Sequence, residues 1–260
     1  MLTFTDVTRR FGDVTAVDNV SLRIDDGDMI GVIGRSGAGK STLLRLINRL
    51  CEPDSGDIQW NGQSILKLKG KALRQWRSRA TIIFQQFNLI PRLDVLTNVL
   101  LGAVASRPVI ASMFKYFPAH ARARAVMELD RLGMAEAAFK RTQFLSGGQQ
   151  QRVAIARAMQ QDPQILLADE PVASLDPVNA EIVMQSLRDI NAERGITVIV
   201  NLHSLDIARR YCRRVIGMAQ GKIVFDGPVA ALTEGVIAQI YGAAPIVDAL
   251  DAPEPLRAVS

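Results

Sequence analysis

Cysteine is almost missing: Cys51 and Cys212 are the only two in 260 residues. That is too few for a disulfide framework and in keeping with a reducing compartment. No stretch of 18 uncharged apolar residues occurs, so no helix is expected to cross a bilayer. The opening "MLTFTDVTRRFGD" turns polar within a few residues, which argues against a secretory signal. Aromatic residues make up 5% of the chain, and no basic stripe interleaved with them is present. A groove for stacked nucleic-acid bases therefore has no support. Histidine occurs only at His120 and His203, which confines imidazole chemistry to two places.

Apolar residues are plentiful, at 48%. That is enough core for one compact domain with a lobe, or for two small domains. The formal net charge is +5, with arginines grouped at Arg74/Arg77/Arg79, Arg122/Arg124 and "RRYCRR" (209–214). Solvated helix faces are the plain reading of these groups. An anionic membrane surface or a nucleic acid are the sharper ones.

Along the chain, residues 2–30 read as short strands, "LTF" and "VSLRI" alternating and "DDGD" turning. "MIGVIG" is a continuous apolar run and reads as a fully buried strand. It leads through a glycine loop into "STLLRLINRL", apolar at helical spacing. "DIQWNGQSI" has the form of a hairpin about Asn61-Gly62. A polar helix ends near Arg79, and "TIIFQQ" is another buried strand. Residues 88–160 change character to helical patterns: "DVLTNVLLGA", "AHARARAVMELDRL" stopped by Gly133, and a helix after Ser146. "SRPVIASMFKYFP" (106–118) between the first two reads as a loop or insert. Strands then return at "QILLADE" and "ITVIVNLH", with Asp176-Pro177 capping and starting a helix that runs to Gly195. "SLDIARRYC" reads as a helix and "RVIGMAQGKIVFDG" as a hairpin. Strand–helix alternation means an α/β fold with a parallel sheet, and residues 88–160 form an inserted lobe. The proline-containing end, 244–260, reads as a loosely held tail behind a domain spanning 1–243.

Chemistry concentrates at "GRSGAGKST", Gly34 to Thr42. The spacing Gly34…Gly39-Lys40-Ser41, between a buried strand and a helix, is that of a P-loop. Its glycines turn successive backbone N–H groups of Arg35, Ser36, Gly37, Ala38 and Gly39 toward phosphates, and the helix start adds a positive dipole end. Lys40 reaches β- and γ-phosphates, and the hydroxyl of Ser41 is a Mg²⁺ ligand. "ILLADE" supplies Asp169, taken to end a strand beside the P-loop strand and hold the Mg²⁺ shell. Glu170, just past the strand, is placed to turn toward an attacking water as general base.

A second glycine turn stands at "QFLSGGQQQRVAIARA" (143–158). Ser146 and Gln149 satisfy the S-x-x-Q capping box, so a helix starts there. Gly147 and Gly148 are poor first-turn residues, at a cost of ~1 kcal/mol each against alanine. Their presence implies that something approaches the backbone closely.

Leu145–Gln149 followed by "QQRVAIARA" resembles the signature of the ATP-binding cassette (ABC) ATPases. The likeness extends over residues 1 to about 230. It implies a P-loop NTPase with a RecA-like parallel-sheet core, an N-terminal antiparallel β subdomain and an inserted helical lobe. In that family two cassettes pack head to tail, so Ser146, Gly147, Gly148 and Gln149 of one copy would meet nucleotide held by the P-loop of the other. This accounts for two phosphate-gripping devices in one chain. The resemblance also implies that Phe11 stacks on adenine, although an ordinary core role remains open for it. Gln85 would be the Mg²⁺- and water-sensing glutamine, with Gln86 adjacent. Asp176 in "SLD" would cross the dimer interface, or simply cap its helix. His203 would be the switch histidine, leaving Glu170, His203 and Gln85 as the catalytic group.

"FQQFNLIPRLDVLTNVLLG", "LLADEPVASLDP", "ITVIVNLHSLDIARRY" and "GKIVFDGP" together resemble ATP-binding subunits of bacterial phosphonate importers. Val172 after Glu-Pro and the form "VNLHS" distinguish them from generic importer cassettes. The first segment alone would also suit a polar amino-acid importer. Implied are ATP and Mg²⁺, a homodimer, separate permease subunits docked near 85–100 and, indirectly, a periplasmic phosphonate-binding protein. The implied location is the cytoplasmic face of the inner membrane, peripherally bound. A soluble cassette ATPase working in DNA repair or translation would need two fused cassettes or a long coiled-coil insert, neither of which is present. A non-hydrolytic ATP clamp would not need Glu170 and His203.

Overall fold

The computed structural model describes residues 1–106 and 117–242. β1 (Leu2–Phe11) and β2 (Val14–Ile24) pair antiparallel. They are long strands rather than the short ones expected. Asp6 and Asn19, both at φ 49, bend them where the register slips. Side-chain hydroxyls take the amides freed there: Asp6 N donates to Ser21 Oγ and Asn19 N to Thr8 Oγ1, each at 3.0 Å. β3 (Met29–Ile33) is buried throughout, and α1 (Lys40–Asn48) follows the P-loop. β4 (Ser55–Trp60) and β5 (Gln63–Ser64) close around Asn61 and Gly62, whose φ of 49 and 78 are those of a two-residue hairpin turn. α2 (Gly70–Arg79) leads to β6 (Ala80–Ile83).

The lobe then begins, with α3 (Val95–Leu100), α4 (Ala119–Arg131) and α5 (Gly147–Met159). Glycine at φ 63 follows α4 at Gly133. Most of the segment read as an insert, 107–116, and residues 243–260, with the whole tail read at 244–260, lie outside the described residues. After the lobe come β7 (Ile165–Asp169), α6 (Pro177–Arg194, ended by Gly195 in the left-handed region), β8 (Thr197–Leu202) and α7 (Leu205–Tyr211). β9 (Arg214–Ala219) and β10 (Lys222–Pro228) form the expected hairpin, and α8 (Glu234–Tyr241) closes the described chain. α8 was not anticipated. It is only eight residues long, capped by Thr233 and seated through Ile237 and Ile240.

The strands make two sheets, β2-β1-β4-β5 and β10-β9-β3-β8-β7-β6. The first is antiparallel; in the second, β9, β3, β8, β7 and β6 run parallel and β10 is an antiparallel edge. Strand alternation divides the core in two. Ile30, Val32, Leu167 and Ile199 join Leu43, Leu44 and Ile47 of α1 and Phe4 and Ile58 of the small sheet. Met29, Ile33, Leu166, Ala168, Val198 and Val200 face the lobe and α6. Each such fully buried aliphatic side chain contributes ~1.5–3 kcal/mol. β6 and β7 are sheet neighbours although the lobe lies between them in sequence, so the lobe is an insertion between adjacent strands. Arg194 Nη2 of α6 donates to both carboxylate oxygens of buried Glu128 of α4, at 2.7 and 2.8 Å, and ties the two helices together.

One expectation is corrected. β7, which carries Asp169, does not lie beside the P-loop strand, because β8 intervenes between β3 and β7. The parallel strands are ordered by packing among distant segments, which local apolar runs do not encode. Part of each arginine group is engaged within the chain: Arg77 with the Arg49 carbonyl, Arg124 with Asp162, Arg210 with Glu181, Arg214 with Asp226.

Candidate functional site

The loop from Gly34 to Gly39 is shaped by glycine. Gly34, Gly37 and Gly39 have φ of 151, 79 and 104. A Cβ on Gly34 would lie 2.3 Å from the Met218 carbonyl oxygen, and one on Gly39 would lie 2.1 Å from that of Ala16. No side chain caps α1, and no acid stands in its first turn. Its first amides are therefore left for an anion at the positive end of the helix. Arg35, Ser36 and Gly37 are exposed, Ala38 is buried, and Ser41 and Thr42 are half-buried.

Lys40 is buried and donates from Nζ to the Gly34 and Arg35 carbonyls at 2.7 and 3.1 Å, folding back over the loop. Burial holds its pKa below the usual lysine value, with the nearby Glu170 and Asp169 carboxylates opposing the shift. Ser41 Oγ donates to Asp169 Oδ1 at 2.7 Å, joining the two residues expected to share a metal. Asn201 Nδ2 donates to the same oxygen at 2.7 Å, and Arg45 stands 4.0 Å from Asp169 Oδ2.

Glu170 sits at φ 53, a left-handed conformation that costs a non-glycine residue ~1 kcal/mol or more. That turn breaks the strand alternation and carries the carboxylate to His203, with Nε2 and Oε1 at 2.5 Å. Together they border a hollow of about 490 Å³ between the strand ends, α6 and α7. A carboxylate and an imidazole in contact, beside a lysine at a phosphate loop, can orient and deprotonate a water.

The remaining expected residues lie around this centre. Phe11 is 49% exposed at the end of β1, with the Arg9 guanidinium 4.5 Å from its ring centroid, so the core alternative fails. Gln85 and Gln86 are both exposed in the turn after β6. The next two residues, Phe87 and Asn88, have φ of 41 and 51. Half-buried Arg157 of α5 holds that turn, donating to the Phe87 carbonyl at 2.7 Å and that of Asn88 at 2.5 Å. Burial lowers the Arg157 pKa.

The signature turn is built from its own chain. Ser146 Oγ accepts from Gln149 N at 3.3 Å, and Gln149 Oε1 from Ser146 N at 3.0 Å, completing the capping box. A Cβ on Gly148 would lie 2.3 Å from Asn179 Oδ1, and one on Gly147 would lie 3.3 Å from Leu175 Cδ2. The close approach inferred from these glycines thus has a neighbour within the chain. Asp176 caps α6 as foreseen, accepting from Asn179 N at 3.0 Å and Asn179 Nδ2 at 2.6 Å. Those bonds, the side-chain one foremost, lower its pKa.

Among known proteins, residues 17–173 match the ABC transporter family. The chain belongs to that family. It is 59% identical over 236 residues to the phosphonates import ATP-binding protein PhnC of Agrobacterium fabrum, covering 91% of this chain and 82% of that one. It is 56% identical to phosphonates import ATP-binding protein PhnC 2 of Roseobacter denitrificans, covering 98% and 97%. Among solved structures, the dimeric bacterial ABC transporter cassette MJ0796 is 35% identical, with a TM-score of 0.75 over 88% of this chain and 99% of that one. CbiO1 of Clostridium perfringens, part of the transporter complex cbiONQ, gives 0.79 at 29% identity over 92% of each. The P-loop, acid pair and signature of this ABC cassette were all visible in sequence. Asn179, Arg157 and Asn201 were passed over. Only Asn201 carried a signal, as a polar residue inside the apolar run "ITVIVNLH".

Proposed function

We propose that this cassette is the ATP-hydrolysing subunit of a bacterial importer of phosphonates or phosphate esters. The Glu170–His203 contact beside the Lys40–Ser41–Asp169 cluster carries the enzymatic half of that reading. The high identity to importer subunits of that name, along most of the chain, supports the substrate class.

The P-loop amides and Lys40 bind the triphosphate, Lys40 exchanging the Gly34 and Arg35 carbonyls for phosphate oxygens. The described residues hold no cluster of three acids, histidines or cysteines able to cage a metal. Ser41 and Asp169, joined at 2.7 Å, fit Mg²⁺ instead, an ion held by one or two protein groups together with substrate phosphates, and Gln85 would approach it from the turn after β6. Bound there, Mg²⁺ would neutralise charge developing on the phosphates. Glu170 accepts a proton from the attacking water as the oxygen–phosphorus bond forms and ADP leaves. His203 aims that carboxylate, and a γ-phosphate competing for its Nε2 would release Glu170 toward the water.

Phe11 offers its ring to adenine. Ser146, Gly147, Gly148 and Gln149 cover the γ-phosphate bound to a second copy, and Asp176 reaches across the same seam. ATP then holds the dimer closed and hydrolysis opens it. No described helix is long and apolar enough to cross a membrane, so separate permease subunits would carry the solute. Ile90, five residues after Gln85, is exposed, and Thr142 Oγ1 donates to its carbonyl at 2.9 Å, which brings the segment of exposed Phe144 to it. That apolar rim would take a permease helix. The cassette would lie peripherally on the cytoplasmic face of the inner membrane. A periplasmic phosphonate-binding protein would act indirectly, and nucleic acid plays no part.

The test is complementation of a gene-deletion strain given a phosphonate as sole phosphorus source. Wild type restores growth and Glu170→Gln does not; the purified variant binds ATP, accumulates as a dimer and hydrolyses ~10²–10⁴-fold more slowly. Unimpaired growth of the deletion strain would reject the substrate, and normal hydrolysis by the variant would reject the base.

A further inference from the structure

β8 is apolar apart from Thr197 at its start, which accepts from Gly27 N, and Asn201 near its end. Thr197, Val198, Ile199, Val200 and Leu202 are buried, and so is Asn201, at 0% exposure. Asn201 pairs in register with Val32 of the P-loop strand on one side and with Asp169 on the other. It thus occupies the strand that separates the phosphate loop from the acid pair. A valine there would pack without cost, whereas a buried amide must find partners for both its ends.

It finds only one. Nδ2 donates to Asp169 Oδ1 at 2.7 Å, and Oδ1 is buried with no hydrogen-bond partner. The orientation follows from chemistry, because an ionised carboxylate accepts and only the NH₂ end of the amide donates. By strand alternation the Asn201 side chain shares the α1 face with Ile199. Ser41 Oγ also donates to Asp169 Oδ1, and its lone pairs stay free to bind a metal. Asn201 is the second side-chain donor to that oxygen, and it holds the carboxylate from within the sheet.

We propose that Asn201 is a positioning residue: its Nδ2 fixes Asp169 Oδ1 and so sets that carboxylate for the metal shell. The proposal rests on the metal role assigned above to Asp169.

Asn201→Val removes the hydrogen bond to Asp169 and keeps a buried side chain; Asn201→Thr keeps a hydroxyl that can donate. The full-length variants are compared with wild type and Asp169→Asn. Calorimetry measures ADP affinity with and without Mg²⁺, alongside steady-state ATP hydrolysis and thermal midpoints. In Asn201→Val, Mg²⁺-free ADP affinity stays within about twofold of wild type. The gain in affinity brought by Mg²⁺ shrinks ~10-fold and kcat falls ~10–100-fold, the usual effect of removing an outer-shell partner of a metal ligand. The thermal midpoint does not drop, and Asn201→Thr recovers most of both losses. Unchanged Mg²⁺ coupling and kcat in Asn201→Val would reduce Asn201 to packing, as would losses that threonine fails to restore. If Asp169→Asn itself leaves Mg²⁺ coupling intact, the metal assignment of Asp169 falls first and the proposal with it.

Discussion

An added Cβ at Gly34 or Gly39 would strike a backbone carbonyl, of Met218 at 2.3 Å or of Ala16 at 2.1 Å; at Gly148 it would strike the side chain of Asn179, also at 2.3 Å. The two glycine turns differ further at their helices. α1 has no side-chain cap and leaves its first amides open, while α5 closes on itself through the Ser146–Gln149 box. The first turn is surrounded by what phosphate chemistry needs: a buried lysine, a hydroxyl, a metal-type carboxylate and a base. The second has no cation or acid in its first turn, and Ser146 is exposed. In the reading proposed above, one turn is a nearly complete half-site and the other an uncharged cover for the site of a second chain.

The largest expected effect breaks the first half-site. Lys40→Ala should lower hydrolysis ~10³-fold through loss of a preorganised charge at the phosphates. It should not destabilise the protein. Because burial holds the Lys40 pKa down, folding disfavours its charged form, and that cost is present below the folded pKa and fades as pH rises toward the unfolded value. Thermal midpoints near neutral pH should therefore match or exceed wild type. A large drop would mean that Lys40 is a structural strut and that the loop is not poised for phosphate.

The contrast also marks what could be read without coordinates. The P-loop, the end of β7, the Ser146 box and the Asp176 cap are local, each fixed by residues within a few positions, and each appears where its spacing put it. Glu170, just past the strand end, leaves strand register at a φ of 53. What escaped is long-range. β8 between β3 and β7, Arg157 on the Phe87 turn and Asn179 against Gly148 join segments far apart in sequence, with no periodicity to announce them. The Gly148 inference shows the limit: close approach was deduced correctly, but the approaching atom in the described chain is an asparagine.

That ambiguity sets the next test. Gly148→Ala should cost ~1–3 kcal/mol of stability from overpacking against Asn179 and also depress hydrolysis ~10–100-fold. Gly148→Ala with Asn179→Ala gives the methyl group room. If the turn covers nucleotide in a second copy, stability returns while hydrolysis stays low. Mixing the double variant with Lys40→Ala chains sharpens this, since in a mixed dimer one pocket carries both lesions and the other carries neither. Activity should then recover toward half of wild type per dimer. If the double variant alone regains full hydrolysis, Gly148 serves only its own fold and the shared-pocket scheme loses its second turn.

The smallest effect is expected at Phe11, outside both turns. Its ring is half-exposed and already covered on one side by Arg9, at 4.5 Å from the centroid. Stacking on a purine is worth ~1–3 kcal/mol by alanine substitution where a base is fully sandwiched, and a ring shared with a guanidinium at the surface should fall at the low end. Phe11→Ala should thus raise KM for ATP about fivefold and leave kcat within twofold, whereas Phe11→Tyr should behave as wild type. Because stacking is indifferent to base edges, GTP should lose affinity in parallel with ATP. A change in kcat alone would place Phe11 in the hydrolytic machinery and separate it from adenine.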